Sequence, residues 1–245
     1  MGGHVPRMTA ADRHRQTRLF LGLVLVLAAV PARAGIGGSL TLASQDRFRG
    51  YSVSDGRPAA TLSLSYDDAG GAYFEASVMA AGASRYGSRR YRFEENAGYA
   101  LRIAGGPTVD AGIVHADYSG YYIYGKRVTF TEIYAGFLTS HLSAHVHYAP
   151  AYYQHGVSTF YTDLEGSAEP IPHIRLSAHY GVLFQIEGVH EAAGRTMHDW
   201  RLGASTDVGS LSFELALSSG VKKRGFYGAP RHRGTALLFA ATKAF

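Results

Sequence analysis

Residues 39–66 read SLTLASQDRFRGYSVSDGRPAATLSLSY. It reads as two alternating runs, Ser39 to Ser52 and Ala59 to Tyr66, with the period of a half-buried strand, joined by Ser54-Asp55-Gly56-Arg57-Pro58, whose Asp-Gly is a hairpin signal. The spacing predicts strands over 39–52 and 58–66. The first has no partner before it, and the last alternating run, 234–245, has none after it. If those two edges pair, the sheet closes into a barrel and has no free edge.

Outward from this hairpin, alternating segments of about ten residues recur, the weak per-segment pattern of a transmembrane β-barrel. Twelve are predicted, over 39–52, 58–66, 72–82, 90–104, 108–118, 128–138, 142–149, 158–167, 173–184, 197–207, 211–219 and 234–245. The expected fold is all-β: a single antiparallel transmembrane barrel of about twelve strands. Short connections at 67–71, 105–107, 139–141, 169–172 and 208–210 alternate with longer polar and aromatic ones near 83–89, 119–127, 150–157, 185–196 and 220–233. Short periplasmic turns and longer external loops are the outer-membrane arrangement; only the short loop at 53–57 departs from it. Leu142, Ala144, Val146 and Tyr148 are expected to face outward, and Ser143, His145 and His147 inward. Seventeen tyrosines against one tryptophan suit an aromatic girdle, with Tyr66, Tyr118, Tyr148 and Tyr180 at strand ends.

The first 34 residues read as a cleavable secretory signal peptide: arginines, then the apolar run 19–30, then Ala32-Arg33-Ala34 before Gly35. The run is too short to span a membrane as a helix. Five arginines and one aspartate leave with this segment, so a formal net charge of +5 becomes +1 over 35–245. That balance gives no basic surface for nucleic acid. The chain has no cysteine, so the sheet itself must supply stability.

Phe48-Arg49-Gly50, Ser52, Ser54-Asp55-Gly56 and Pro58-Ala59 open a pattern continued by Gly120-Tyr121-Tyr122-Ile123-Tyr124, Thr131-Glu132-Ile133-Tyr134 and Phe245. This pattern resembles the TorF family of small Gram-negative outer-membrane porins. Gln45-Asp46-Arg47 stands where that family carries Ser-Asp-Tyr, which places an extra cation near the rim. Phe245, ending an alternating strand, resembles the insertion signal that the outer-membrane assembly machinery reads, and Lys243 beside it is expected to snorkel. Outer-membrane lipids and lipopolysaccharide are the partners implied, and Lys222-Lys223-Arg224 with Arg231-His232-Arg233 suits lipopolysaccharide phosphates or anionic solutes.

Alternation aims Arg49, Arg92, Glu94, Arg102, Glu132, His145, His147, Asp163, Arg175, His179, Arg201 and Glu214 into the lumen as candidate selectivity residues. Charges of both signs there fit either a hydrated pore for small hydrophilic solutes or an ion-paired network that fills a closed lumen. With Arg92, Arg175 and Arg201 offset by Glu94, Glu132 and Asp163, weak anion preference is expected. His145 and His147, with Glu132 and Tyr134 on the next strand, suit a transition metal by residue type, but two histidines at strand spacing are read as protonatable lumen groups, and neither metal nor cofactor is expected. A lipid-modifying hydrolase would need a Ser-His pair; His141 and Ser143 are the nearest, without a recognisable motif, so no enzyme is expected. A non-conducting structural or adhesin barrel is the third reading.

Overall fold

A computed structural model describes residues 35–82, 90–104, 106–123, 126–153, 156–188, 196–220 and 234–245. The segment 1–34, where the signal peptide is predicted, and both basic clusters at 222–224 and 231–233 lie outside the described residues.

The described chain is β-structure. In order the strands are β1 (Ile36–Ala43), β2 (Arg47–Phe48), β3 (Tyr51–Ser52), β4 (Ala59–Asp67), β5 (Ala72–Ala81), β6 (Arg90–Arg102) and β7 (Thr108–Ile123). Then follow β8 (Lys126–Leu138), β9 (Leu142–Ala149), β10 (Ser158–Ile171), β11 (Ile174–Glu187), β12 (Thr196–Val208), β13 (Leu211–Gly220) and β14 (Ala236–Ala244). Twelve of them form a closed antiparallel barrel, while β2 and β3 make a separate two-stranded sheet. The edges meet as the alternation predicts: β1 pairs with β14 from Ser39↔Ala244 to Ala43↔Ala240, and with β4 from Ile36↔Tyr66 to Ala43↔Ala59.

The wall faces follow the two-residue period. Leu40, Phe74, Ile113, Ile133, Val146, Leu164, Leu202, Leu215 and Phe239 are exposed on the outside, and every barrel strand carries at least one such residue. An apolar surface of that extent on a closed wall is what lipid, not water, would cover. Glu95, His115 and Thr131, side by side in register on β6–β8, interrupt it, and His115 Nδ1 lies 2.8 Å from Thr131 Oγ1. Tyr66, Tyr99 and Tyr180 are outward and exposed. Tyr118, expected in the girdle, is instead 1% exposed inside the barrel: it shares β7 parity with Ala116, not with Ile113.

Where the short turns lie, Gly35 and Phe245 lie too. This turn end holds the connections 68–71, 139–141 and 209–210. The expected turn at 169–172 is tighter, because β10 runs through Pro170 to Ile171 and only Pro172 and His173 turn the chain. The register shift between Ala168 and Ile171 accommodates Pro170, which has no N–H for the ladder. At the opposite, loop end, β7, β8 and β11 run beyond their predicted limits, where the ladder continues after the inside-outside polarity contrast has faded.

Phe245 closes the seam. Its N–H donates to Gly38 O at 2.9 Å, Gly38 N–H donates back to Phe245 O at 3.0 Å, and the Phe245 ring occupies the space a Cβ at Gly38 would need. Deleting Phe245 is therefore expected to lower the folded yield several-fold, whereas Lys243→Ala leaves it near wild type. The heat-modifiable band on a gel measures this, and equal yields for the deletion and wild type would contradict it.

Candidate functional site

After Ala43 the chain leaves the wall. The predicted strand 39–52 is in fact β1 plus a hairpin that folds into the lumen from the loop end. Its tip, Arg49-Gly50, has φ of 46° and 75°, the paired left-handed conformation of a two-residue turn whose twist suits β2 and β3. Gly50 is required there twice over: its φ is positive, and a Cβ would lie 2.5 Å from Gly220 Cα on β13. The Asp55-Gly56 turn is present, with φ of 61° and 69°, but it returns this hairpin to β4 rather than joining two wall strands.

Polar contacts fasten the hairpin. Val53 N–H donates to Asp46 O at 2.9 Å, and Asp46 N–H to Ser54 Oγ at 2.9 Å. The Arg47 guanidinium donates to Gly50 O at 2.5 Å and to Gly234 O at 2.7 Å, which ties β2 to the approach of β14. Asp46 also meets Arg92 Nη1 of β6 at 3.1 Å. Burial pushes the Asp46 carboxyl above the usual carboxylate range, and Arg92 pulls it partly back.

Arg49 reaches furthest into the site. It holds Glu132 of β8 bidentately, Nη1 to Oε1 at 2.8 Å and Nη2 to Oε2 at 2.7 Å, and Nη1 also donates to Tyr152 Oη at 3.0 Å. Its Cζ lies 3.8 Å from the Tyr161 ring centre and 4.8 Å from that of Phe48. The two charged side chains are only 7% and 3% exposed. Around them Tyr118, Phe130, Tyr152, Tyr153, Val53 and Met79 pack as a core inside the loop end of the barrel. Aromatic packing and a dry bidentate pair thus hold the hairpin inside the loop end of the barrel.

From Glu132 a chain of acids and histidines runs along the lumen wall. His147 Nδ1 is 3.6 Å from Glu132 Oε2, and His147 Nε2 is 3.2 Å from Asp163 Oδ2. Asp163 Oδ1 faces His145 Nδ1 at 3.6 Å, and His145 Nε2 faces Asp110 Oδ1 at 3.5 Å. Tyr73 donates to Asp110 at 3.1 Å and also bonds Tyr134, which donates to Asn96 at 2.8 Å. A second branch joins Tyr161, His179, Asp199 and Glu165, with His179 Nε2 2.9 Å from Asp199 Oδ1 and Nδ1 3.2 Å from Glu165 Oε1. Toward the turn end, a cavity of about 460 Å³ is lined by Glu165, His179, Arg201, Glu214, Ser143 and Thr139 among others.

The predicted lumen residues do not form one ring. Arg92 lies beside the hairpin with Asp46 and, at 3.9 Å, Glu94; Arg201 pairs with Glu214 at 2.7 Å; Arg175 sits at the turn-end rim, exposed, with Glu169 at 2.9 Å. Arg102 is exposed at the turn-end limit of β6. Arg49 enters from the hairpin, not from a wall strand. Among the described residues no three His, Asp or Glu side chains converge as metal ligands would, since the histidines and acids alternate along a line. No hydrogen bond joins His141, in the turn after β8, to Ser143 among the described residues. The sequence pattern does not single out Asp46 or Asp199. Asp199 shares parity with Arg201 and is legible from it, whereas the role of Asp46 depends on the hairpin.

Comparison with known proteins gives one family and a set of folds. The profile described as "Bacterial protein of unknown function (Gcw_chp)" matches residues 29–228. No curated protein matches. Among solved structures, the KdgM porin aligns with a TM-score of 0.52 at 12% identity, over 85% of this chain and 99% of its own. The NanC porin gives 0.57 at 9% identity, over 84% and 98%. The COG4313 outer membrane channel from Pseudomonas putida F1 gives 0.51 at 11% identity, over 89% and 97%.

Proposed function

The chain belongs to the Gcw_chp family of bacterial proteins, and from that premise we propose that it is an outer-membrane, porin-like channel for small hydrophilic solutes, closed at rest by its first hairpin. The observation that carries this is a closed wall that is apolar outside and charged within. The porin folds it resembles, and its sequence resemblance to the TorF porins, support the same reading. Residues 1–34 serve as the export segment, Phe245 in assembly, and lipid and lipopolysaccharide cover the outer face. Reconstitution into planar bilayers tests this: a folded, inserted barrel that never conducts, with or without its hairpin, would leave the third reading, a structural barrel, which the packed loop end favours.

In place of the weak anion preference expected from the sequence, the pairing of the arginines favours cations over anions. Arg92, Arg175 and Arg201 are each held by a carboxylate, while Asp110, Asp163, Glu165 and Asp199 also face the lumen and meet histidines and tyrosines there. Fixed negative charge raises the local concentration of cations. Changing the three arginines to glutamine is expected to move the reversal potential further toward cation preference, and the shift shrinks as salt screens the lumen. An unchanged reversal potential at low salt would remove these residues from selectivity.

A further inference from the structure

The Arg49 contacts describe a site as well as a latch. Glu132 offers both oxygens to one planar cation, Tyr152 Oη accepts a further N–H, and the Tyr161 face lies 3.8 Å from the central carbon. A carboxylate this dry requires a partner of opposite charge, and the fork-shaped guanidinium meets it with two parallel bonds. On the other side Glu132 faces His147, itself held by Asp163. The occupant is supplied by a residue with φ of 46°, a conformation that non-glycine residues rarely adopt, at the tip of a hairpin tethered at both ends.

We propose that Glu132, Tyr152 and Tyr161 form a recognition site for guanidinium-bearing solutes, filled from within by Arg49, so that such a solute competes with the hairpin for the lumen. The proposal rests on the channel reading for how a solute arrives, but its test does not use conductance. Arg49 is a tethered competitor, so a free guanidinium compound displaces it to an extent that rises with its concentration. Withdrawal of Arg49 also frees Phe48 and Gly50 from the wall, and the core at the loop end opens with them.

The probe is agmatine, with N-(4-aminobutyl)urea, a butylurea that keeps the distal ammonium, as the compound of similar planar shape without the guanidinium charge, titrated calorimetrically into the refolded barrel in detergent. Arg49→Ala is expected to bind agmatine saturably and about tenfold or more tighter than wild type, because the internal competitor is gone. The double variant Arg49→Ala/Glu132→Gln loses that binding. Equal binding by the single and double variants, or butylurea binding as tightly as agmatine, would overturn the site. Arg49→Gln replaces Arg49→Ala if the latter does not fold. Wild type provides an independent test: agmatine, not butylurea, must speed hydrogen exchange of the 46–54 backbone amides, and no agmatine-specific increase overturns the competition. A barrel that binds agmatine yet never conducts would overturn the channel and leave the site standing.

Discussion

Glu132→Ala is expected to be the most damaging single substitution in the lumen. It strips a bidentate partner from Arg49 where both side chains are almost fully dry. Breaking a buried ion pair by removing one member costs about 3–5 kcal/mol, because the remaining charge is left without compensation. The same change deprives His147 of one of its two acidic neighbours. The loss appears as a lower urea midpoint for the refolded barrel, whereas Glu169→Ala, which removes the exposed rim partner of Arg175, costs less than about 1 kcal/mol and leaves the midpoint near wild type. Equal midpoints for the two variants would show that the Arg49–Glu132 pair does not hold the hairpin.

Excising the hairpin produces the largest functional change. Replacing residues 45–57 by a short Gly-Ser link removes Arg49, Phe48 and Val53 from the loop-end core but leaves all twelve wall strands and the β1–β14 seam. The excised barrel is expected to admit small neutral sugars into liposomes at least about tenfold faster than wild type, since a lumen of this strand number is narrow and one inserted hairpin occupies much of it. Flux that is the same with and without the hairpin would mean that the lumen is closed elsewhere, or that the wild type already conducts around it.

The wall is legible in the sequence because one physical rule, two-residue alternation between a wet and an apolar face, governs most of it, with Glu95, His115 and Thr131 as outward exceptions. That rule places Ser143, His145 and His147 inside, Val146 outside, and the two edges where they meet. It fails where neither face contacts lipid. Gln45-Asp46-Arg47-Phe48-Arg49-Gly50 has no alternation, and an arginine in the left-handed conformation carries no signal in its residue type. The Asp55-Gly56 turn is therefore visible, but the hairpin before it is not. Tyr118 is misplaced for a related reason: deep in the loop end, the inside of the barrel is an aromatic core, so an apolar residue no longer marks the outer face. The arginine pairings cannot be read because they depend on which strands are neighbours at each height, which only the register fixes.

Single-channel recording of wild-type barrel beside the hairpin-excised barrel tests the capped channel most directly. The expected wild type is mostly silent, with brief openings whose size equals the sustained conductance of the excised barrel. Sustained wild-type conductance equal to that of the excised barrel, or silence from both after verified insertion, would contradict it.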